Sequence, residues 1–269
     1  MKDPSRQPMP DTSTRVALVR ATAHATDFLF RHAFPLYVTL YDAYKRVTEH
    51  EDIDLIHRLV KRGDSVVDVG ANIGFYSEVL ANCVGADGHV YAFEPEQRNF
   101  DRLVERARPY PQIHPVRAAV ADKPGPIDLY LSPHLNIDHR TYPTEERRQR
   151  TTIEAVSLDS FLADRADRIQ FIKMDIQGAE YAALLGMRDV VQRSPHVRIL
   201  MELWPFVHER FGAGTMVVLS LLESWGFETH RLGKNGHHRK LSPNEPLPGR
   251  NDPKVYFDVL CIRRGTSFG

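Results

Sequence analysis

The stretch at residues 64–83, DSVVDVGANIGFYSEVLANC, constrains the fold of this chain more than any other. Ser65–Val69 is a short β-branched run, which reads as a buried strand. It passes straight into Gly70, Asn72 and Gly74, and Gly74–Val84 reads as the helix that follows, closed by a turn at Gly85–Gly88. His89–Phe93 is a second strand, stopping at Glu94 and Pro95; a helix then runs to about Arg108, and a third short strand lies near Ile113–Val116. Strands alternating with helices on this scale build βαβ units and a parallel sheet.

The rhythm resumes later in the chain. Ile169–Met174 ends at Asp175 and is followed by a helix from about Ala179; Val197–Met201 ends at Glu202. A helix over Thr215–Trp225 stops at Gly226. Phe227–Leu232 and Val255–Arg263 read as two last strands joined by a segment with Gly236, Pro243, Pro246, Pro248 and Gly249. A helix-free connection of that kind predicts an antiparallel hairpin at one sheet edge. The expected organisation is therefore a disordered tail over residues 1–13, a helical extension over 14–62, and a mostly parallel α/β domain over 63–265 with helices on both faces. In the extension, Ile53, Ile56, Leu59 and Val60 share one helical face. One insertion, SPHLNIDHRTYPTEERRQR at 132–150, lies between predicted strands Ile127–Leu131 and Thr151–Val156. A loop of that length is often functional, and a solvated hairpin loop accounts for its charges equally well.

Composition narrows the function. The 35 basic residues balance 35 acidic ones, so the excess that phosphate contacts demand is absent and a nucleic-acid partner is not expected. Cys83 and Cys261 sit in apolar contexts without a CxxC spacing and read as reduced core residues, which suits the cytoplasm. The start, MKDPSRQPMPDTS, lacks the basic-then-apolar order of a secretory signal, and Val16–Leu40 is broken by Arg20, His24, Asp27 and Arg31, so no membrane span is expected.

In an open α/β sheet, ligands bind beyond the carboxyl ends of the strands, near a topological switch point. Gly70 and Gly74 allow a sharp turn and let a ligand lie against the backbone. Glu94 ends the second strand, where a carboxylate accepts hydrogen bonds from both hydroxyls of a ribose. A dinucleotide fingerprint requires GxGxxG; here the spacing is GxxxG, and Asp68 stands two residues before the first glycine. Asp68 suits an ammonium and sits badly beside a pyrophosphate. Ribose at one end and ammonium at the other describe S-adenosylmethionine. The plainer alternative is a tight strand–helix turn with no ligand. A nicotinamide-dependent oxidoreductase is one rival, and a non-catalytic S-adenosylmethionine-binding module is another.

The motifs VVDVGANIGFYS (66–77), YAFEPE (91–96), SLDSFL (157–162), FIKMDIQGAEYAALLGM (171–187), ILMEL (199–203) and YFDVLCI (256–262) resemble the FkbM-type S-adenosylmethionine-dependent methyltransferases. The resemblance implies the Rossmann-like class I methyltransferase sheet, with Asp68, Gly70, Ala71, Asn72, Gly74 and Glu94 toward the cofactor. Asp122, in Ala119–Asp122 after the third strand, would reach the adenine. It also implies O-methylation of a hydroxyl on a sugar, glycan or secondary metabolite. Gln177 departs from the pattern, since the family most often has glutamate there.

On the acceptor side the candidates are Asp175, His139 and Glu202. An alcohol acceptor must lose its proton, so a base within hydrogen-bond reach helps. Adjacent strands would set Asp175 and Glu202 side by side as a base and orienting pair, as oxygen ligands of a divalent cation, or as plain helix caps. A cation is compatible with them but is not predicted, and no metal site is assigned. His139 lies in the insertion with Arg140, Arg147, Arg148 and Arg150, which suit an anionic substrate or a charged rim. Lys173 shares a face with Asp175, which suggests an ion pair. Phe28, Phe34, Tyr37, Tyr41 and Tyr44 suit core packing, a homodimer through the N-terminal helices, or the wall of an acceptor pocket.

Overall fold

The structure is a computed structural model that describes residues 26–132, 139–141, 148–233, 237–243 and 247–266. The expected tail and most of the 132–150 insertion, including Arg147, lie outside the described residues. After a helical stretch over residues 26–32 come helices α1 (Phe34–Thr48) and α2 (His50–Leu59). Next come β1 (Ser65–Val69), α3 (Phe75–Val84), β2 (His89–Phe93), α4 (Gln97–Ala107), β3 (Ile113–Val116), β4 (Ala119–Val120), β5 (Gly125–Leu131) and β6 (Gln149–Val156). After α5 (Leu158–Phe161) the chain forms β7 (Phe171–Met174), α6 (Glu180–Leu185), α7 (Arg188–Arg193), β8 (Arg198–Leu203) and α8 (Pro205–Phe211). It ends with α9 (Thr215–Ser224), β9 (Phe227–Arg231), β10 (Arg239–Leu241) and β11 (Phe257–Arg263).

Eight strands form one sheet in the order β10-β9-β11-β8-β7-β1-β2-β3. The five from β8 to β3 are parallel, and β11 and β10 run antiparallel to their neighbours. β9 and β11 pair antiparallel at one side of the sheet, as expected; β11 also pairs with β8, and β10 adds the outermost strand. A second sheet, β4-β6-β5, was not foreseen as separate. It buries its own small cluster around Leu129, Ile153 and Ala155.

The period-two alternation of side chains splits the main core. Val67, Val69, Ile172, Met174, Ile199 and Met201 point to the face covered by α6, α7 and α9. Val66, Phe171 and Leu200 point to the face covered by α2, α3 and α4. Each such fully buried side chain stabilises by roughly 1.5–3 kcal/mol. Asp68, Lys173 and Glu202 share the register of this second face, at its carboxyl-terminal end. Polar groups there need partners or a ligand, because burial removes their water.

Candidate active site

The switch point lies between β1 and β7, since the chain leaves β1 toward β2 on one side and β7 lies on the other. Gly70 has φ +84, and a Cβ there would lie 2.1 Å from the carbonyl oxygen of Asp175. At Gly74, φ is +88 and a Cβ would meet the Leu103 side chain at 2.8 Å. The space a side chain would need is thus taken by the protein's own chain, not only by a ligand as the spacing suggested. The turn is tied down by Gly70 and Ala71, whose N–H groups both donate to the carbonyl of Phe93. Asp175 N–H in turn donates to the Val69 carbonyl.

Two cavities flank this turn, and Gly70, Asn72, Asp175 and Gln177 line both. The smaller, about 70 Å³, has apolar walls from Phe93, Pro95, Ala118, Val120 and Leu129 beside Glu94. Glu94 is 5% exposed; one carboxylate oxygen accepts from Asn72 N–H and the other from Glu96 N–H, each at 2.9 Å. Burial still pushes its carboxyl up to about 8, against the pull of those two bonds. The Asn99 side chain hydrogen-bonds it as well, which leaves one of the four lone-pair sites of the carboxylate for a further donor.

The larger cavity, about 440 Å³, opens over the polar face of the sheet. Asp68 forms part of its floor, accepts from the Ser77 hydroxyl at 2.6 Å, and is pushed up to about 6 by burial. Asp175 and Glu202 stand side by side, bridged by the Gln177 amide, which donates to Asp175 at 2.9 Å and to Glu202 at 3.1 Å. Burial, then the charges of Asp175 and Asp258, raise the Glu202 carboxyl. The position that most often carries glutamate in the resembling family is therefore a neutral bridge here, and its donors offset the repulsion between two acids. Aromatic rings of Tyr41, Tyr44, Tyr76, Trp204 and Tyr256 complete the wall. Phe34 and Tyr37 are buried in a separate aromatic cluster with Phe30, and Phe28 is exposed.

The other candidates fall elsewhere. His139 lines the smaller cavity with Asp175 and is absent from the lining of the larger one with Glu202. Its Nδ1 accepts from Ser132 N–H at 3.1 Å, so a neutral ring carries its proton on Nε2 and presents a donor, not a base. Asp122 is exposed and lines neither cavity, because the chain after β4 carries it outward. Arg140 stacks on Trp204 at 5.1 Å, while Arg150 pairs with Asp128 at 3.3 Å. Lys173 makes no ion pair with Asp175 among the described residues; its Nζ sits over the Tyr76 ring at 4.9 Å. No group of three or more His, Cys, Asp or Glu arranged for a metal ion occurs among the described residues. No described helix is long and apolar enough to cross a membrane.

Sequence reasoning missed the support beneath the Gln177 turn. Gln177 and Gly178 both have positive φ, at 55 and 104. Glu180, 1% exposed, accepts from Gly178 N–H at 3.1 Å and from His208 Nε2 at 2.6 Å, and His208 Nδ1 reaches the Thr215 hydroxyl at 3.1 Å. The glutamate sits three residues after Gln177 in QGAE, which hinted at a cap; nothing local marked His208 or Thr215 as its partners.

The model of the Methyltransferase FkbM domain matches residues 68–229, more than half of the chain, so the chain belongs to that family. That family is one of S-adenosylmethionine-dependent methyltransferases. Among curated relatives, the hexuronic acid methyltransferase AglP of Haloferax volcanii is 28% identical over 146 residues, which is 54% of this chain and 58% of AglP. The match thus spans little more than half of that relative's length. Among solved structures, a candidate rRNA methylase from Clostridium thermocellum superposes with a TM-score of 0.50 at 12% identity, covering 80% of this chain and 94% of that one. A SAM-dependent methyltransferase from Aquifex aeolicus gives 0.46 at 16% identity, over 85% and 97%. The residues present fit the cofactor: an apolar slot suits a flat base, Glu94 lies beside it, and the turn leads on to Asp68. Bound there, S-adenosylmethionine supplies a methyl group activated by a positively charged sulfur.

Proposed function

We propose that this protein methylates a hydroxyl oxygen of a sugar or similarly polyhydroxylated acceptor held in the larger cavity. One observation carries the reading: the Asp175–Glu202 pair, bridged by Gln177, at the edge of an aromatic-walled cavity. Aromatic rings stack on the C–H faces of a sugar, and carboxylates accept from its hydroxyls. The Trp204 indole N–H is buried without an acceptor among the described residues, which suits an oxygen-rich ligand. Asp175 lines both cavities, where methyl donor and acceptor would meet, so it is the partner that takes the proton from the acceptor hydroxyl. The main contribution of the walls is orientation. That AglP is named for a hexuronic acid adds support for a sugar.

The test is incubation with methyl-labelled S-adenosylmethionine and a panel of neutral and uronic methyl glycosides, followed by mass spectrometry and NMR of the products. Label on a sugar oxygen is expected, falling about 10²–10⁴-fold in Asp175→Asn. Label appearing only on nitrogen or carbon acceptors, or full turnover in the variant, would refute the proposal.

A further inference from the structure

Lys173 is 3% exposed and lies on β7, directly opposite Asp68 of β1 in the sheet register. Carboxylates surround it: burial pulls its ammonium down, but the charges of Asp175, Asp258 and Asp52 outweigh that and hold it above the ordinary lysine value. It therefore stays a cation. Yet among the described residues no carboxylate lies within ion-pair distance of Nζ, and no acceptor lies within hydrogen-bonding distance. Its contact is the face of Tyr76. The side chain is buried while its ammonium opens on the larger cavity, which it lines, so its donors are open to a ligand there.

The chemistry of what reaches it follows from the neighbours. A ligand with its ribose at Glu94 crosses the shared turn of Gly70, Asn72 and Asp175 and arrives over Asp68 and Lys173. Adjacent strands stand about 4.8 Å apart, a spacing that suits two opposite charges on neighbouring atoms of one ligand. An α-amino acid end carries such a pair. A ligand ammonium finds acids in plenty on these walls. A ligand carboxylate finds only Lys173, because the other lysine of the lining, Lys45, is held by Glu49 at 2.5 Å. We propose that Lys173 binds the α-carboxylate of the cofactor's amino-acid end while Asp68 binds its α-ammonium. This rests on the cofactor reading of the site.

Calorimetry separates the two. Wild-type protein is titrated with S-adenosylhomocysteine, with its decarboxylated analogue, and with 5′-methylthioadenosine, which lacks the amino-acid end. The carboxylate is expected to contribute about ten- to a hundredfold in affinity. Lys173→Met should weaken S-adenosylhomocysteine by the same factor and leave 5′-methylthioadenosine within about twofold, which also shows that the variant is folded. Equal affinity of wild type for S-adenosylhomocysteine and its decarboxylated analogue overturns the assignment whatever the variant does. So does a loss in Lys173→Met that is equal for both nucleosides. Failure of wild type to bind any of the three overturns the cofactor reading itself.

Discussion

If the cofactor's ribose rests on Glu94, its affinity must follow the protonation of that side chain. Both Glu94 oxygens accept backbone N–H bonds, and burial holds the carboxyl up to about 8. Ribose hydroxyls act as donors to it, so they select the ionised form. With only that form competent, the apparent Kd exceeds its high-pH value by a factor of 1 + 10^(8−pH), about 11-fold at pH 7 and about 100-fold at pH 6. Titration of S-adenosylhomocysteine by calorimetry from pH 6 to 9 should therefore show affinity climbing about 90-fold in wild type. Glu94→Gln removes the titration; its curve should stay weak and lack this climb. The comparison between the two proteins isolates Glu94 from Asp68, which titrates at about 6. Stability of the free protein runs the other way. A folded-state carboxyl raised from 4.5 to about 8 contributes stability below its unfolded value that is lost as pH rises toward 8. A flat wild-type curve, or the same slope in both proteins, would sink the ribose assignment.

Further tests follow from the same geometry. Gly70→Ala sets a Cβ 2.1 Å from the Asp175 carbonyl at a positive φ, so it should cost roughly 2–4 kcal/mol in urea unfolding; a cost under about 0.5 would contradict the packing. Gln177→Glu replaces a bridging donor with a third acid, raising carboxyl values in the cluster. Its stability deficit relative to wild type should widen between pH 5 and 8, and a deficit independent of pH would refute the bridge. Glu180→Ala leaves Gly178 N–H and His208 without their buried acceptor and should destabilise by about 2–4 kcal/mol, read by thermal unfolding.

The parts of this protein that were legible in its sequence are local ones. β1 and β2 fall at Ser65–Val69 and His89–Phe93 because β-branched runs end abruptly at residues that cannot continue a strand. The backbone at Gly70 and Gly74 is left-handed, as the spacing implied, and membership of the FkbM methyltransferase family rests on the same motifs. Adjacent strands also made the closeness of Asp175 and Glu202 foreseeable, since β7 and β8 pair in register.

What the tertiary structure decided depends on groups far apart in the chain. β11 entered the sheet between β8 and β9, a choice set by pairing partners that no local pattern encodes. His139 went to the smaller cavity and Asp122 to the surface because the second sheet, not the first, sets their path. Lys173 shows the division most clearly. Alternation along the strand put it on the same face as Asp175, and that much followed from a period of two. Whether the two charges touch depends on how far α1 and the Tyr76 ring of α3 stand off the sheet, and there they leave a cavity instead of an ion pair.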